Sequence, residues 1–386
     1  MKEAVIIQVL FSFILIRSNA QDSALATRLL QRIEQLQVKE SSVFPKGIFP
    51  SYRTYALNKD RDKADVNAFF TGLICFTLRD LKPRLSPAQR VIVDSIISRA
   101  GIVYDKFKNR RGRPTYNFWP TDTVKIFPNA GWLNRFNRQQ SLPDDLDDTV
   151  IFLLAQNAPD STARKVHALM QAYTNFGQAK IRNTYRSYRG IKAYSTWFGK
   201  KMPVDFDFCV QSNVLYFVQR YGLPWQAGDS ASLQLIEKVV GERKYMEHAS
   251  YVSPHYQLSS VILYHLSRLM SVRPIPALEK YRAQLIQDAE DLLNRNKNFM
   301  EQVILQTALL RWGTQPAPQI IRTNQSLLEL TEENNFIFFI ANMASILPNP
   351  LKQWMAVFGK FDYDCDAYND LLLLENILLS RDVSAG

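Results

Sequence analysis

The apolar residues of this chain recur mostly at the spacing of α-helices. Between residues 24 and 36 the apolar side chains fall on one helical face, formed by Leu25, Leu29, Leu30, Ile33 and Leu36. No stretch alternates convincingly between apolar and polar positions, and no Asn-Gly turn joins two such stretches. The pattern therefore predicts a mostly α-helical protein.

Two kinds of helical segment alternate along the chain. Segments of the first kind begin with polar or acidic residues and are then apolar almost all round, which predicts burial on every side. They begin near Asp65, Asp145, Asp207, His255, Asn298, Asn334 and Asn369. Segments of the second kind are amphipathic and lie between them, at residues 87–103, 162–176 and 278–293. This alternation is typical of an inner ring of helices within an outer ring.

The alternation predicts an all-α fold of the α/α-toroid type. The inner helices of such a ring run parallel, so their N-termini gather on one face. No linker divides the chain, and residues 21–386 are predicted to form a single toroid domain. The place of the last apolar segment, residues 369–379, stays open, because it either closes the ring or packs outside it.

The first twenty residues have the pattern of a secretory signal peptide. An apolar run covers residues 4–16, and Ser18 and Ala20 put small residues before a cut at Gln21. The run is too short to span a bilayer as a helix, which takes roughly 20 apolar residues. The sequence therefore predicts a secreted or periplasmic protein, with a buried N-terminal helix or an uncleaved anchor as the alternatives.

We expect the exported protein to begin at Gln21, because signal peptidases cut after small residues at these positions. Intact-mass analysis of the protein recovered from the exported fraction should give the mass of residues 21–386. A mass that includes residues 1–20 would contradict cleavage. It would indicate a protein of the membrane or the cytosol instead.

The chain is basic and has the composition of an ordinary globular protein. Its 386 residues carry 47 Lys and Arg against 36 Asp and Glu, which gives a net charge of +11. This composition excludes disorder, collagen and a coiled coil as descriptions of the whole chain. The charge favours anionic lipid, polysaccharide or phosphorylated partners, and peripheral contact with a membrane is one possibility. No motif typical of nucleic-acid recognition is present, so no such partner is expected.

Cysteine and histidine spacing gives no metal site. The three cysteines, Cys75, Cys209 and Cys365, are far apart and form no CxxC pair, so we expect three buried thiols rather than one disulfide and a spare thiol. The four histidines include no HxxxH or HExxH pair, which argues against zinc.

Four carboxylates fall within five residues immediately before an apolar helix. They belong to Asp144, Asp145, Asp147 and Asp148. The helix N-terminus lowers their pKa values, whereas mutual repulsion and burial raise them. One carboxyl group held neutral in this way is a poised general acid. A solvated capping cluster is the alternative interpretation.

The sequence from Asp145 to Thr149 resembles the DxDD(T) motif of class II terpene cyclases, in the superfamily of terpenoid cyclases and protein prenyltransferases. That superfamily is built on α/α toroids. The resemblance implies that Asp147 protonates an alkene or epoxide of an isoprenoid substrate and starts carbocation cyclisation. Asp145 and Asp148 are then its hydrogen-bonded neighbours.

The same stretch also matches the DDxxD motif of class I terpene synthases. In that interpretation Asp144, Asp145 and Asp148 hold magnesium. The second metal motif of that class is not evident in the sequence. The proton-donor interpretation, which needs no cofactor, is therefore favoured.

Other candidate site residues precede or begin the predicted inner helices. Trp119 and Trp132 are candidates to stack on a sugar or shield a cation. Asp205, Asp207 and Asn213 are candidates to face Asp147 across the ring as base or ligand anchor. His255 and Tyr256 are candidate proton acceptors. For each, packing or helix capping is the alternative role.

Two basic stretches are candidates to bind a diphosphate or an acidic glycan. One is the run of Lys and Arg at residues 106–113, for which a solvated loop is the simpler account. The other alternates Arg with Tyr at residues 182–189.

Three functions therefore remain open from the sequence. The first is a class II terpene-cyclase-like enzyme with Asp147 as general acid. The second is an exported glycoside hydrolase or lyase on an α/α toroid, with Asp147 and Asp207 as acid and base. The third is a non-catalytic toroid that binds a glycan, a lipid or a protein. The shape of the central cavity discriminates among them.

Overall fold

The computed structural model describes residues 22–55, 63–122, 142–199, 202–315, 326–332, 336–348, 350–355 and 359–384. The predicted leader, Trp132 and Asn334 lie outside these residues. Most of the described chain is helical, as the sequence predicts.

The described residues form sixteen α-helices and six strands. The helices are α1 (22–36), α2 (Phe69–Leu81), α3 (Pro87–Ala100), α4 (Leu146–Gln156), α5 (Asp160–Met170), α6 (Phe208–Arg220), α7 (Ala227–Gly241), α8 (Lys244–Glu247), α9 (Ala249–Val252), α10 (Ser259–Val272), α11 (Pro276–Glu279), α12 (Arg282–Arg295), α13 (Phe299–Arg311), α14 (Leu327–Glu332), α15 (Leu351–Trp354) and α16 (Asp366–Ser384). The strands are β1 (Tyr52–Tyr55), β2 (Lys63–Ala64), β3 (Asp144–Asp145), β4 (Trp197–Phe198), β5 (Phe339–Asn342) and β6 (Lys360–Asp364).

Six helices contact one another in a closed cycle. In order around the cycle they are α2, α4, α6, α10, α13 and α16, and α16 returns to α2. These helices are apolar almost all round; in α6, for example, every residue from Phe208 to Gln219 is buried. The last apolar segment of the sequence, whose place was open, is α16 and closes the cycle.

The helices of the cycle point in the same direction. In their first turns, the rings of Tyr368 on α16 and Phe70 on α2 lie 5.5 Å apart. Ser260 in the first turn of α10 donates a 2.6 Å hydrogen bond to Glu301 in the first turn of α13. At the other end, Arg220 of α6 pairs with Asp80 of α2 at 2.9 Å. The N-termini therefore lie on one face, which places the acidic motif there.

The three segments predicted to be amphipathic form α3, α5 and α12. Each buries a single stripe; in α3 the stripe consists of Gln89, Val93, Ile96 and Ala100. Ser86 and Gln89 form a reciprocal capping box that fixes the start of α3. Helices α3 and α12 pack against the outside of the cycle, α3 against α2 and α12 against α10 and α13.

The prediction of an inner helix from the segment near Asn334 is wrong. Its described part forms β5, in a four-stranded antiparallel sheet with the order β2-β1-β6-β5. A short apolar run of Phe and Ile suits a strand as well as a buried helix, and periodicity alone does not distinguish them. The expectation that no strand alternates was also wrong, because Phe361 and Tyr363 alternate with polar residues along β6.

The sheet lies over the N-terminal ends of the cycle. The backbone N–H of Ile340 in β5 donates to the carbonyl of His255 at 2.9 Å. The ring of Phe339 lies 4.6 Å from that of Phe69, at the start of α2. Strand β5 therefore covers the face that carries the acidic motif.

Cys75, Cys209 and Cys365 are buried free thiols, as predicted. Burial raises the pKa of the Cys75 thiol to about 12, so this sulfur stays protonated and unreactive at neutral pH. Among the described residues, no helix combines the length and apolar character that crossing a membrane requires.

Candidate active site

A cavity of about 230 Å³ lies between the N-terminal ends of the helix cycle and strand β5, which covers them. Its wall is mostly apolar and aromatic, with contributions from Phe69, Phe118, Trp197, Val210, Phe339 and Ile346. One side carries Asp145, Asp147, Asp148 and His255. The acidic motif therefore faces an aromatic-lined cavity rather than solvent.

A strand-to-helix junction positions the aspartates. Asp145 ends β3, which pairs antiparallel with β4, and it is also the N-cap of α4. Its Oδ1 accepts hydrogen bonds from the backbone N–H groups of Asp147 at 2.7 Å and Asp148 at 3.1 Å. This cap satisfies two donors that the helix leaves unpaired. It also fixes Asp147 and Asp148 in the first turn, at the cavity wall.

Asp147 is only 4% exposed and is bonded through both oxygens. Asn213 Nδ2 donates to Oδ1 at 2.7 Å, and the Tyr256 hydroxyl donates a short hydrogen bond to Oδ2. Burial raises the pKa of Asp147 to about 6, and the bonds from Tyr256 and Asn213 limit that rise. This direction agrees with the expectation from the sequence.

The two neighbouring carboxyl groups hold protons more tightly. Burial and the Asp147 charge raise the pKa of Asp145 to about 7. Burial, Asp145 and Asp147 raise the pKa of Asp148 well above its ordinary value. Asp148 Oδ1 has no hydrogen-bond partner among the described residues. We conclude that the cluster retains at least one proton at neutral pH.

A buried arginine orients the amide that binds Asp147. Arg268 Nη2 donates to Asn213 Oδ1 at 2.6 Å, which leaves the Asn213 NH₂ group directed at Asp147. The guanidinium lies over the rings of Phe76, Tyr216 and Tyr264, at 4.9 to 5.6 Å from their centroids. These cation–π contacts hold a positive charge behind the acid.

We expect Arg268→Met to raise the pKa of the Asp147 carboxyl by on the order of one unit, because a buried positive charge is lost. Titration of protein labelled with [¹³C]carboxyl-aspartate, followed by NMR, measures this pKa directly. Arg268→Lys keeps the charge and should restore most of the value. Arg220→Met, at the far end of α6, is the control and should leave the Asp147 titration unchanged. A titration that is the same in all variants would contradict the coupling.

His255 is a cation at neutral pH. Burial alone would lower its pKa, but Asp205 and Asp207 outweigh that effect and raise the pKa to about 9. Its Nε2 lies 3.8 Å from Asp205 Oδ2, and its Nδ1 lies 3.2 Å from the Ile340 carbonyl oxygen. A protonated imidazole cannot accept a proton, so the predicted role of His255 as base is not supported at neutral pH.

Asp207 caps α6 and does not line the cavity. Its Oδ1 accepts from the backbone N–H groups of Cys209 and Val210 and from the Ser253 hydroxyl. Its Oδ2 accepts from the backbone N–H of His255 at 2.8 Å. Both oxygens are therefore occupied, although burial raises the pKa of this carboxyl as well.

Several predicted site residues lie behind the cavity wall rather than on it. Asn213 and Tyr256 hold Asp147 instead of facing a ligand. Trp119 is buried, and its Nε1 donates to Asp65 Oδ1 at 2.9 Å. Trp132 lies outside the described residues. Its role as a stacking platform stays a prediction.

Asp144 points away from the other three aspartates. Its Oδ2 accepts hydrogen bonds from Asn109, Arg113 and Thr115. The magnesium hypothesis, with Asp144, Asp145 and Asp148 as ligands, would need Asp144 to leave these donors. Within the described ranges, no three His, Cys, Asp or Glu side chains converge as a metal site.

The sequence interpretation missed the aromatic wall and the buried cation. Trp197 was overlooked because its strand β4 has only two residues. Phe339 was assigned to a helix and therefore to the wrong environment. Arg268 was visible in the sequence as a charged residue within an apolar segment that was predicted to be buried. This position indicates a buried cation, but no role was predicted for it.

No protein-family model, curated protein or solved structure that was compared with the chain matches it.

Proposed function

We propose that the protein is a class II terpene-cyclase-like enzyme that starts the cyclisation of an isoprenoid by protonating it. The observation that carries this proposal is the position of the Asp145–Asp148 carboxyl cluster, which is buried in the wall of an aromatic-lined cavity. We also propose that the closed helix cycle is the inner ring of an α/α toroid, with α1, α3, α5, α7 and α12 outside it.

Asp147 is the group best suited to give up the proton. An acid that protonates a carbon–carbon double bond must leave a well-stabilised anion. The Asp147 carboxylate receives hydrogen bonds from Asn213 and Tyr256 and lies at the positive end of α4. Asp148 Oδ1 accepts no hydrogen bond from the described residues, so the Asp148 anion is less stabilised and this group releases a proton less readily. In this scheme Asp148 and Asp145 keep the cluster protonated between turnovers.

The cavity wall suits a carbocation. Aromatic faces attract cations without reacting as nucleophiles, and Phe69, Phe118, Trp197 and Phe339 surround the space next to the acid. An engineered cavity of about 150 Å³ holds benzene, so 230 Å³ has room for roughly ten carbon atoms. The cavity therefore suits the reacting end of an isoprenoid, and a longer chain would extend through its mouth.

The proposed reaction conserves the composition of the substrate. Asp147 adds a proton to a terminal double bond or epoxide, and the resulting cation is attacked by the next double bond. Loss of a different proton from carbon ends the sequence and regenerates a neutral product. The carboxylate cluster is the nearest proton acceptor, because His255 is already protonated at neutral pH.

The polysaccharide-processing hypothesis has less support. It needs a second free carboxylate opposite Asp147, and the candidate Asp207 is occupied through both oxygens. An inverting hydrolase also needs an open groove, whereas this cavity lies under β5. A purely binding toroid would leave the protonated cluster beside the cavity without a role. The predicted leader still favours a secreted or periplasmic enzyme in each case.

A substrate screen tests the proposed function. The purified protein is incubated with acyclic prenyl alcohols, their diphosphates and terminal epoxides, and in parallel with polysaccharides. We expect a cyclic isomer from at least one isoprenoid, detected by gas chromatography and mass spectrometry, and none with Asp147→Asn. Release of reducing sugar that depends on Asp147 would instead establish the hydrolase hypothesis.

A further inference from the structure

An exposed apolar patch lies at the mouth of the cavity. We call it the mouth patch; it consists of Met343, Leu351, Trp354 and Met355. Trp354 is 71% exposed, and the other three side chains are also open to solvent. Met343 lines the cavity and is 39% exposed, so the cavity wall continues onto the surface at this residue. The turn that begins at Met343 and helix α15 contact each other.

The patch is built on a rigid support. Lys352 on α15 is buried, and its Nζ donates to the carbonyls of Asn183 at 3.0 Å and Tyr251 at 3.1 Å. Asn183 Nδ2 in turn donates to the Ser345 carbonyl at 2.6 Å. These bonds direct Lys352 inward, and Leu351 and Trp354 remain exposed on either side of it.

The same bonds place a basic segment beside the patch. Asn183 belongs to the stretch that alternates Arg with Tyr, residues 182–189, to which the proposed reaction assigns no role. Arg182 and Arg186 are exposed, whereas Asn183, Thr184 and Tyr188 are buried. Positive charge therefore borders an exposed tryptophan and three other apolar side chains.

We propose that the mouth patch, together with Arg182 and Arg186, docks the protein on an anionic lipid bilayer, with the cavity mouth at the membrane surface. Exposed apolar patches with a polar rim mark protein or membrane contacts. Tryptophan and arginine at one edge are typical of a membrane interface, where the ring enters the headgroup region and the cation meets lipid phosphates. The net charge of +11 gives the whole protein the matching sign.

The cavity opens at the mouth patch, and this position favours a lipid bilayer over a protein as the partner of the patch. An isoprenoid partitions into lipid, and a cavity that opens at the docking surface receives it without passage through water. This step rests on the proposed function. The docking itself does not, because it follows from the exposed residues and their charge.

Vesicle binding without substrate tests the docking. The purified protein is sedimented with vesicles of phosphatidylcholine, with and without phosphatidylserine. We expect binding to the anionic vesicles that Trp354→Ser weakens about tenfold, as expected for a loss of this apolar area. Replacing Arg182 and Arg186 with Gln should weaken binding to the anionic vesicles by about fivefold per arginine. Asp147→Asn should bind like the natural protein even if no isoprenoid is ever turned over.

Trp225 offers a matched control. It is 39% exposed and follows the C-terminal end of α6, at the opposite face from the cavity. Trp225→Ser should leave vesicle binding unchanged. Failure of the natural protein to bind anionic vesicles, or equal loss in both Trp variants, would overturn the proposal. A dimer in solution that Trp354→Ser dissociates would overturn it too, and would assign the patch to a second copy of this chain.

Discussion

Asp147→Asn should abolish turnover of an isoprenoid and raise the stability of the protein at pH 8. Turnover is lost because an amide keeps the shape of the carboxyl group but has no acidic proton to deliver. Stability rises because the substitution removes a buried negative charge. The amide still accepts from Asn213 and faces the Tyr256 hydroxyl, which can accept from its NH₂ group.

The pH dependence of the stability follows from the raised pKa. The folded protein holds the Asp147 proton up to about pH 6, whereas the unfolded chain releases it near 3.8. The stabilisation is therefore fully present below about pH 4 and is lost as the pH rises through 6. This pKa difference is equivalent to about 3 kcal/mol of unfolding free energy. In Asp147→Asn the unfolding free energy should no longer fall as the pH rises through 6. Thermal unfolding of both proteins at pH 5 and at pH 8 measures this difference.

Asp160→Asn is the control for this experiment. Asp160 begins the outer helix α5 and is exposed, so its substitution should change neither turnover nor the pH dependence of unfolding. Full activity of Asp147→Asn, with a change of at most about 1 kcal/mol in stability, would reduce Asp147 to a helix-terminal residue. The binding-module hypothesis would then be favoured.

Glu375→Ala should cost about 3–5 kcal/mol of unfolding free energy, the usual penalty for a buried charge left without its partner. Glu375 on α16 forms a buried ion pair with Arg311 on α13 and accepts a 2.6 Å hydrogen bond from the Tyr264 hydroxyl on α10. It thereby joins three neighbouring helices of the cycle. Chemical denaturation monitored by circular dichroism measures the loss.

Glu237→Ala provides the comparison for Glu375. Glu237 on α7 pairs with Lys280 at the surface, where solvent screens the ion pair and its contribution to stability is small. Converting both Glu375 and Arg311 to Met should recover most of the loss, because no unpaired charge then remains. A loss for Glu375→Ala as small as that for Glu237→Ala would contradict the placement of α16 inside the cycle.

The buried helices were predictable because their apolar character is local information. The segments that begin near Asp65, Asp145 and Asp207 become α2, α4 and α6, with polar residues before their first turns. The sheet was not predictable in the same way, since β5 and β6 are separated by residues 343–359 and only their pairing distinguishes Phe339 from a helical residue. Tertiary contacts, and not local sequence, therefore determine that the segment after residue 335 forms a strand and not a helix.

For a similar reason, the sequence predicted which residues form the acidic cluster but not the long-range contacts that hold it. The resemblance to the DxDD motif implied that Asp145, Asp147 and Asp148 act together, and all three line the cavity wall. Asn213 was a candidate to face Asp147 across the ring, and Tyr256 was a candidate proton acceptor. Their hydrogen bonds to Asp147 span 66 and 109 residues, so the sequence did not indicate that both side chains bind this carboxyl group. The link from Asn213 to Arg268 depends on the packing of α6 against α10.

Deuterium labelling tests most directly whether the carboxyl cluster protonates an isoprenoid. An active substrate from the screen that carries a terminal double bond is converted in D₂O, where the exchangeable protons of the cluster become deuterons. An epoxide is not used, because its deuteron would go to the new hydroxyl group and exchange. The proposed reaction predicts a cyclic isomer that carries one carbon-bound deuterium at the terminus that was protonated, located by mass spectrometry and NMR, and no product with Asp147→Asn. A cyclic product without carbon-bound deuterium would contradict proton-initiated cyclisation.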